Sequence, residues 1–323
     1  MSRLLLSTGD PNGIGPEIAA KAVARLGTAA PVIVGDRCAV EGPAEACGLR
    51  VREAEPGAIA EAGVCDVIDI GVLSAGELRV GQVRAEAGAA TIAYARAAVR
   101  LASGGGFRGI VAGPHSETAV RDAGISFAGY PPLIAELTGV PEERVFLMLV
   151  GGGLRVAHVT LHVSMAESLR RLSVELVTDA GLALHRALES MGISAPRLGM
   201  FGINCHASEG GLFGEDDRRI TTPAAGRLRA AGVDISDPVG ADVLLGAPDR
   251  DGYLAMYHDQ GHIPVKLLAG RGAVAITIGA GVPFSSVGHG PAFDIAGQGT
   301  ADPSALLSAL SLFENTPQEA ATR

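Results

Sequence analysis

Within "AMYHDQGHIP" (255–264) the chain places His258, Asp259, Gln260 and His262, so two of its eight histidines fall inside ten residues. Imidazole beside carboxylate can hold a cation, move a proton, or simply make a polar loop. Histidine recurs in "VTLHVS" (His162), "GINCHASEGG" (His206) and "VGHGPAFD" (His289). His162, His206 and His258 each follow a predicted strand. In α/β folds ligands gather at the carboxyl ends of strands, so these three could converge from distant positions. Three neutral imidazoles that leave one position open suit a catalytic divalent ion such as zinc. The alternative is three separately satisfied polar residues. Asp242 in "GADVL" and Asp259 could orient imidazoles by accepting from the other ring nitrogen. Lys266, beyond Pro264, could meet a substrate carboxylate or phosphate or assist proton transfer; otherwise it is a solvated helix lysine. His158 and His185 lack such a context and read as structural or surface residues.

These residues must be positioned by a fold, and composition limits which. At 323 residues, with 47% hydrophobic and 19% charged, the chain can bury one large or two ordinary cores. Its 45 glycines and 4% aromatic content suit an α/β protein with many tight turns. A net charge of −9 without a long basic run argues against nucleic acid as a partner. The apolar start "RLLLST" is too short for a signal peptide, so the expectation is a soluble, cytoplasmic protein without membrane association. Cys38, Cys47, Cys65 and Cys205 show no CxxC pairing and read as reduced; only Cys205, next to His206, stands beside a candidate residue.

Apolar runs alternate with amphipathic segments. "RLLLST", "APVIVGD", "RGIVAGP", "RVFLMLV", "LRVAHVTLH", "RLGMFGIN", "YLAMY" and "AVAITIG" predict strands. "GPEIAAKAVARL", "AGAATIAYARAAVRLAS", and segments from about Ser164, after Gly214 and near Asp302 predict helices. The alternation implies a parallel or mixed sheet. The pattern GxGxxG occurs at Gly104, Gly106 and Gly109, but between helix and strand, the reverse of the order a dinucleotide site needs. "GDPNGIGPEI" runs from strand to helix, and its amides from Gly13 to Glu17 could hold an anion or simply form a capped turn.

Taken together, "GDPNGIGPEI", "VTLHVS", "GINCHASEGGLFGEDD", "YHDQGHIPVK" and "GPAFDIAGQGTADP" resemble the 4-hydroxythreonine-4-phosphate dehydrogenase (PdxA) family over nearly the whole chain. The resemblance implies an isocitrate/isopropylmalate dehydrogenase-like fold of two interwoven α/β/α domains with a cleft, 1–128 plus 285–323 and 129–284. It implies a homodimer with a shared active site and a divalent metal, usually zinc, held by His162, His206 and His258. It also implies NAD bound without a Rossmann fingerprint, near Gly288, His289 and Asp294.

The chain departs from the biosynthetic members at three places. "PHSE" puts Glu117 where they carry lysine, "GYPP" (129–132) replaces a phosphate-binding stretch, and Phe284 stands where arginine is expected. The altered stretches "PHSETAV", "FAGYPPLIA" and "SSVGHG" resemble a narrower branch, the terephthalate dihydrodiol dehydrogenases. That branch implies oxidation of a secondary alcohol β to a carboxylate with decarboxylation, the cis-dihydrodiol dicarboxylate becoming protocatechuate. Lys266 and Asp242 would then assist catalysis, and His115, Tyr130 and Lys266 would contact substrate. The alternatives are a 4-hydroxythreonine-4-phosphate or phospho-sugar-acid dehydrogenase, or a three-histidine zinc hydrolase.

Overall fold

The computed structural model describes residues 3–54, 59–127, 129–270, 273–281 and 283–313. Along these the chain runs β1 (Arg3–Ser7), α1 (Gly15–Leu26), β2 (Val32–Gly35), α2 (Arg37–Ala46), β3 (Arg50–Glu53), β4 (Val64–Asp69), α3 (Ala85–Ser103), β5 (Phe107–Ala112), α4 (Glu117–Asp122) and α5 (Tyr130–Thr138). It continues β6 (Phe146–Gly151), β7 (Leu154–His158), α6 (Met165–Arg171), α7 (Val174–Ser190), β8 (Arg197–Phe201), α8 (Thr222–Ala230), β9 (Asp234–Val239), α9 (Ala241–Gly246), β10 (Gly252–Ala255) and α10 (His258–Ala269). It ends β11 (Val274–Ile278), β12 (Phe284–Ser286) and α11 (Ser304–Ser311).

The described residues divide into two compact units, one up to Thr138 and again from Pro283, the other from Gly139 to Gly281. The first holds strands ordered β3-β4-β2-β1-β5-β12, every pair parallel. Its central strands are buried along nearly their whole length, as parallel strands covered on both faces must be. Helices α1, α2 and α11 pack together, while α3 carries α4 and α5. That contact with α3 draws residues 130–138 into the first unit. The pairing of β12 with β5 likewise returns Phe284 there, although both stretches were expected on the other side of the division. The expected boundary residue Ala128 and the tail from Glu314 lie outside the described residues.

The second unit is ordered β11-β6-β7-β10-β8-β9. β11, β6 and β7 pair antiparallel, and β7, β10, β8 and β9 parallel. Its core joins Leu149, Val156, Phe201, Tyr253 and Val265. No described helix is long and apolar enough to cross a membrane.

In the first unit Asp66 on β4 is fully buried, and Arg3 and Arg52 each reach it at 2.6 Å. Burial alone would raise its pKa; the hydrogen bonds from Arg52 and Arg3 outweigh that and hold the carboxyl below the usual range. Asp66→Ala should lower unfolding stability by about 3 kcal/mol, because it strands cationic groups beside the core. Urea denaturation measures this, and an unchanged midpoint would contradict it.

Candidate functional site

In the second unit, β7 and β10 stay tied together beyond their ends. The Val159 amide donates to the Ala255 carbonyl at 2.8 Å, and Thr160 donates through its amide and Oγ1 to the Met256 carbonyl. Histidines on the two exits therefore meet: the rings of His162 and His258 have centroids 5.7 Å apart. Two imidazoles held by one tetrahedral ion through nitrogens ~2.0 Å away would have ring centres roughly 5 Å apart. The pair accordingly fits two positions of a metal site. His258 Nδ1 lies 2.7 Å from Asp259 Oδ1, which leaves Nε2 for a ligand. Burial, with the charges of His258 and Lys266, lowers the pKa of His162 and favours its ligating, neutral form.

Gln260 is a site residue that reading for histidine passed over. Its Oε1 accepts the Met256 amide at 2.8 Å and its Nε2 donates to the Gly202 carbonyl at 2.7 Å. It thereby pins the start of α10 to the exits of both β10 and β8. Its position inside "YHDQGH" was the available signal.

His206 leaves β8 on a turn from Cys205 to Gly211 in which residues 206–210 all have left-handed backbone, φ 42–68°. Four of these are not glycine, and each such residue costs ~1–2 kcal/mol. Buried Asp217 opposes that cost. Its carboxylate accepts from the amides of Ile203 (2.7 Å) and Asn204 (3.1 Å), and from Ser208 Oγ and Thr221 Oγ1 (both 2.7 Å). His206 Nδ1 lies 3.0 Å from Glu209 Oε2, the same carboxylate support that His258 has. Its ring contact, however, is with Phe213 at 5.9 Å. Among the described residues no three His, Cys, Asp or Glu side chains gather where one ion could be held. Asp242 is exposed in the first turn of α9 beside Gly240, which borders the His206 backbone.

Helix α10 carries His258, His262 and Lys266 at four-residue spacing, which is one helical face. Lys266 is exposed, and its charge helps hold His162 and His262 neutral. His262 is buried beneath His258. His158 is structural, but it sits directly in this cluster rather than apart from it. His185 pairs with Glu189 elsewhere.

In the first unit, His115 at the exit of β5 joins Phe127, Tyr130 and Phe284 in a ring cluster with centroids 4.6–5.4 Å apart. Burial lowers the pKa of His115 against the opposing charge of Glu117, so the ring is neutral near pH 7. Tyr130 is 5% exposed, and its hydroxyl has no partner among the described residues. The turn from Gly9 to Gly15 is wholly buried, and the Ile14 amide is taken by the Pro291 carbonyl at 2.8 Å. The Asp10 carboxylate accepts the Asn12 amide at 2.9 Å and α1 has no side-chain cap, so "GDPNGIGPEI" is a closed, buried turn rather than an open anion cradle.

The loop after β12 presents Gly288, His289 and Asp294, all outside the core. A clasp holds it: Glu17 accepts from the Gly299 and Ala301 amides, and Lys21 donates to both carbonyls.

Residues 27–313 match the family described as "Pyridoxal phosphate biosynthetic protein PdxA". The chain is 44% identical, over 98% of both chains, to a 1,2-dihydroxy-3,5-cyclohexadiene-1,4-dicarboxylate dehydrogenase from Comamonas sp.. It is 41% identical, over 94% of both, to a D-threonate 4-phosphate dehydrogenase from Cupriavidus necator. The crystal structure of a terephthalate 1,2-cis-dihydrodiol dehydrogenase from Burkholderia xenovorans matches at TM-score 0.85 and 49% identity, covering 97% of this chain and 98% of that one. The chain belongs to the PdxA family and is an enzyme of its dehydrogenase class.

Asp217→Ala should free the left-handed turn, lower stability by about 3 kcal/mol, and speed amide exchange at Ile203 and Asn204. Exchange at wild-type rates would show that something else holds the turn.

Proposed function

We propose that the chain is a divalent-metal-dependent, NAD-linked oxidative decarboxylase of a cyclic diene-diol dicarboxylate, yielding protocatechuate. The observation that carries this reading is the meeting of His162 with His258, which shares one face of α10 with Lys266. His162, His258 and His206 would hold the metal, zinc being the ion best suited to three imidazoles, with Asp259 and Glu209 fixing two of the rings. When bound, the metal supplies Lewis-acid polarisation at the substrate oxygen and NAD a hydride acceptor.

The secondary alcohol loses a hydride from carbon and a proton from oxygen. The resulting β-keto acid loses its carboxylate as carbon dioxide, and the ring becomes aromatic. Lys266 is the cation available to a substrate carboxylate, and Asp242 can orient or relay a proton beside the His206 turn. Gly288, His289 and Asp294, on the loop clasped by Glu17 and Lys21, would face the nucleotide.

His115, Phe127, Tyr130 and Phe284 support the proposed substrate class. Neutral rings and one free phenolic hydroxyl suit a flat carbocycle with a carboxyl group better than a phosphate dianion. The similarity to the Comamonas enzyme supports the same substrate. The reading keeps the isocitrate/isopropylmalate dehydrogenase-like plan and a cytoplasmic location.

It also makes the working enzyme a homodimer that completes the metal site. Leu267 is 79% exposed, and with Ile263 and Leu268 it leaves an apolar face on α10. That face borders a groove of about 350 Å³ lined by Leu154, Leu245 and Pro248.

NADH formation from the dihydrodiol dicarboxylate, abolished by a chelator and restored by zinc, is the expected result. His258→Ala should reduce kcat/KM by at least about a hundredfold. Turnover of 4-phosphohydroxy-L-threonine instead would favour the biosynthetic reading, and metal-dependent turnover without NAD a hydrolase. In sedimentation, Leu267→Glu should convert a dimer to monomer and remove activity; a wild-type monomer with full activity would contradict the shared site.

A further inference from the structure

Below His258 lies a pair of histidines that the proposed chemistry does not use. His158 is the last residue of β7 and 1% exposed; its Nδ1 lies 3.1 Å from the Leu147 carbonyl on β6. A carbonyl only accepts, so Nδ1 carries the proton and donates. In the neutral ring that leaves a lone pair on Nε2, and His262 Nδ1 donates to it at 3.0 Å. His262 is buried as well, at 7% exposure. Each hydrogen bond therefore dictates the next, from Leu147 to His158 to His262.

The far end of this chain meets His258. The rings of His262 and His258 stack with centroids 3.7 Å apart and planes 13° apart. Position 261 is glycine, and any side chain there would run into His158 Nε2 and, at 2.7 Å, into Val156. Glycine at 261 thus lets helix α10 settle this closely onto β7, which brings His262 over His158.

We propose that His158 and His262 form a hydrogen-bonded pedestal that fixes the ring plane of His258, making His262 a positioning residue for the metal site. The metal part of this inference rests on His258 being a ligand; the pairing itself does not.

Two measurements test it. In cobalt(II) titrations followed by visible absorption, His262→Leu should weaken binding about tenfold. His262→Phe, which keeps a flat ring against His258, should restore most of that loss. Equal binding by wild type and His262→Leu, or no rescue by His262→Phe, overturns the positioning role. A wild type with no cobalt band removed by His258→Ala overturns the metal reading and the positioning role with it.

Thermal unfolding of His158→Leu, His262→Leu and the double variant tests the pair without metal. Either single change breaks the hydrogen bond between the two rings, so the double variant should lose less Tm than the sum of the singles. Additive losses would overturn the pairing.

Discussion

Helix α10 approaches β7 so closely that position 261 has no room for a side chain. The second unit's chemistry depends on that contact. It seats His262 on His158, stacks His258 on His262, and leaves Lys266 one further turn along the same face. Gln260, between the two helical histidines, binds the exits of β10 and β8, so one helix start organises the ends of three strands. A face built this way is rigid because each member's orientation is set by a buried neighbour.

The His206 turn follows a different principle. Its backbone is held in a costly left-handed conformation by one buried carboxylate, Asp217, which accepts four hydrogen bonds. Strain of this kind persists only where the surroundings over-determine it. Exposed Leu212, Phe213 and Val243 flank the turn, and the apolar side of α10 is exposed as well. The shared-dimer reading gives both surfaces a reason, since His206 would then act where another chain supplies the rest of the site.

Much of the fold was legible because buried parallel strands are continuous apolar runs: "RLLLS", "VIVG" and "GIVA" could hardly be anything else. Strands β3 and β9 were missed because "RVRE" and "DISDPV" are polar edge segments without that signature. Helix α5 begins Tyr-Pro-Pro, which reads as a turn although proline is tolerated in a first helical turn. That His162 and His258 would lie near each other was legible because strand exits are predictable. The role of His158 was hidden because it points down from a strand into the core, where only the packing of α10 reveals its partner. Asp217 was hidden for a similar reason, since its acceptor role depends on a turn that no local propensity favours.

The most direct measurement is anomalous diffraction from crystals grown with zinc. The account requires one strong peak within bonding distance of Nε2 of both His162 and His258, with the third imidazole a His206. Zinc bound elsewhere, or bound with His162 and His258 both uncoordinated, would contradict it.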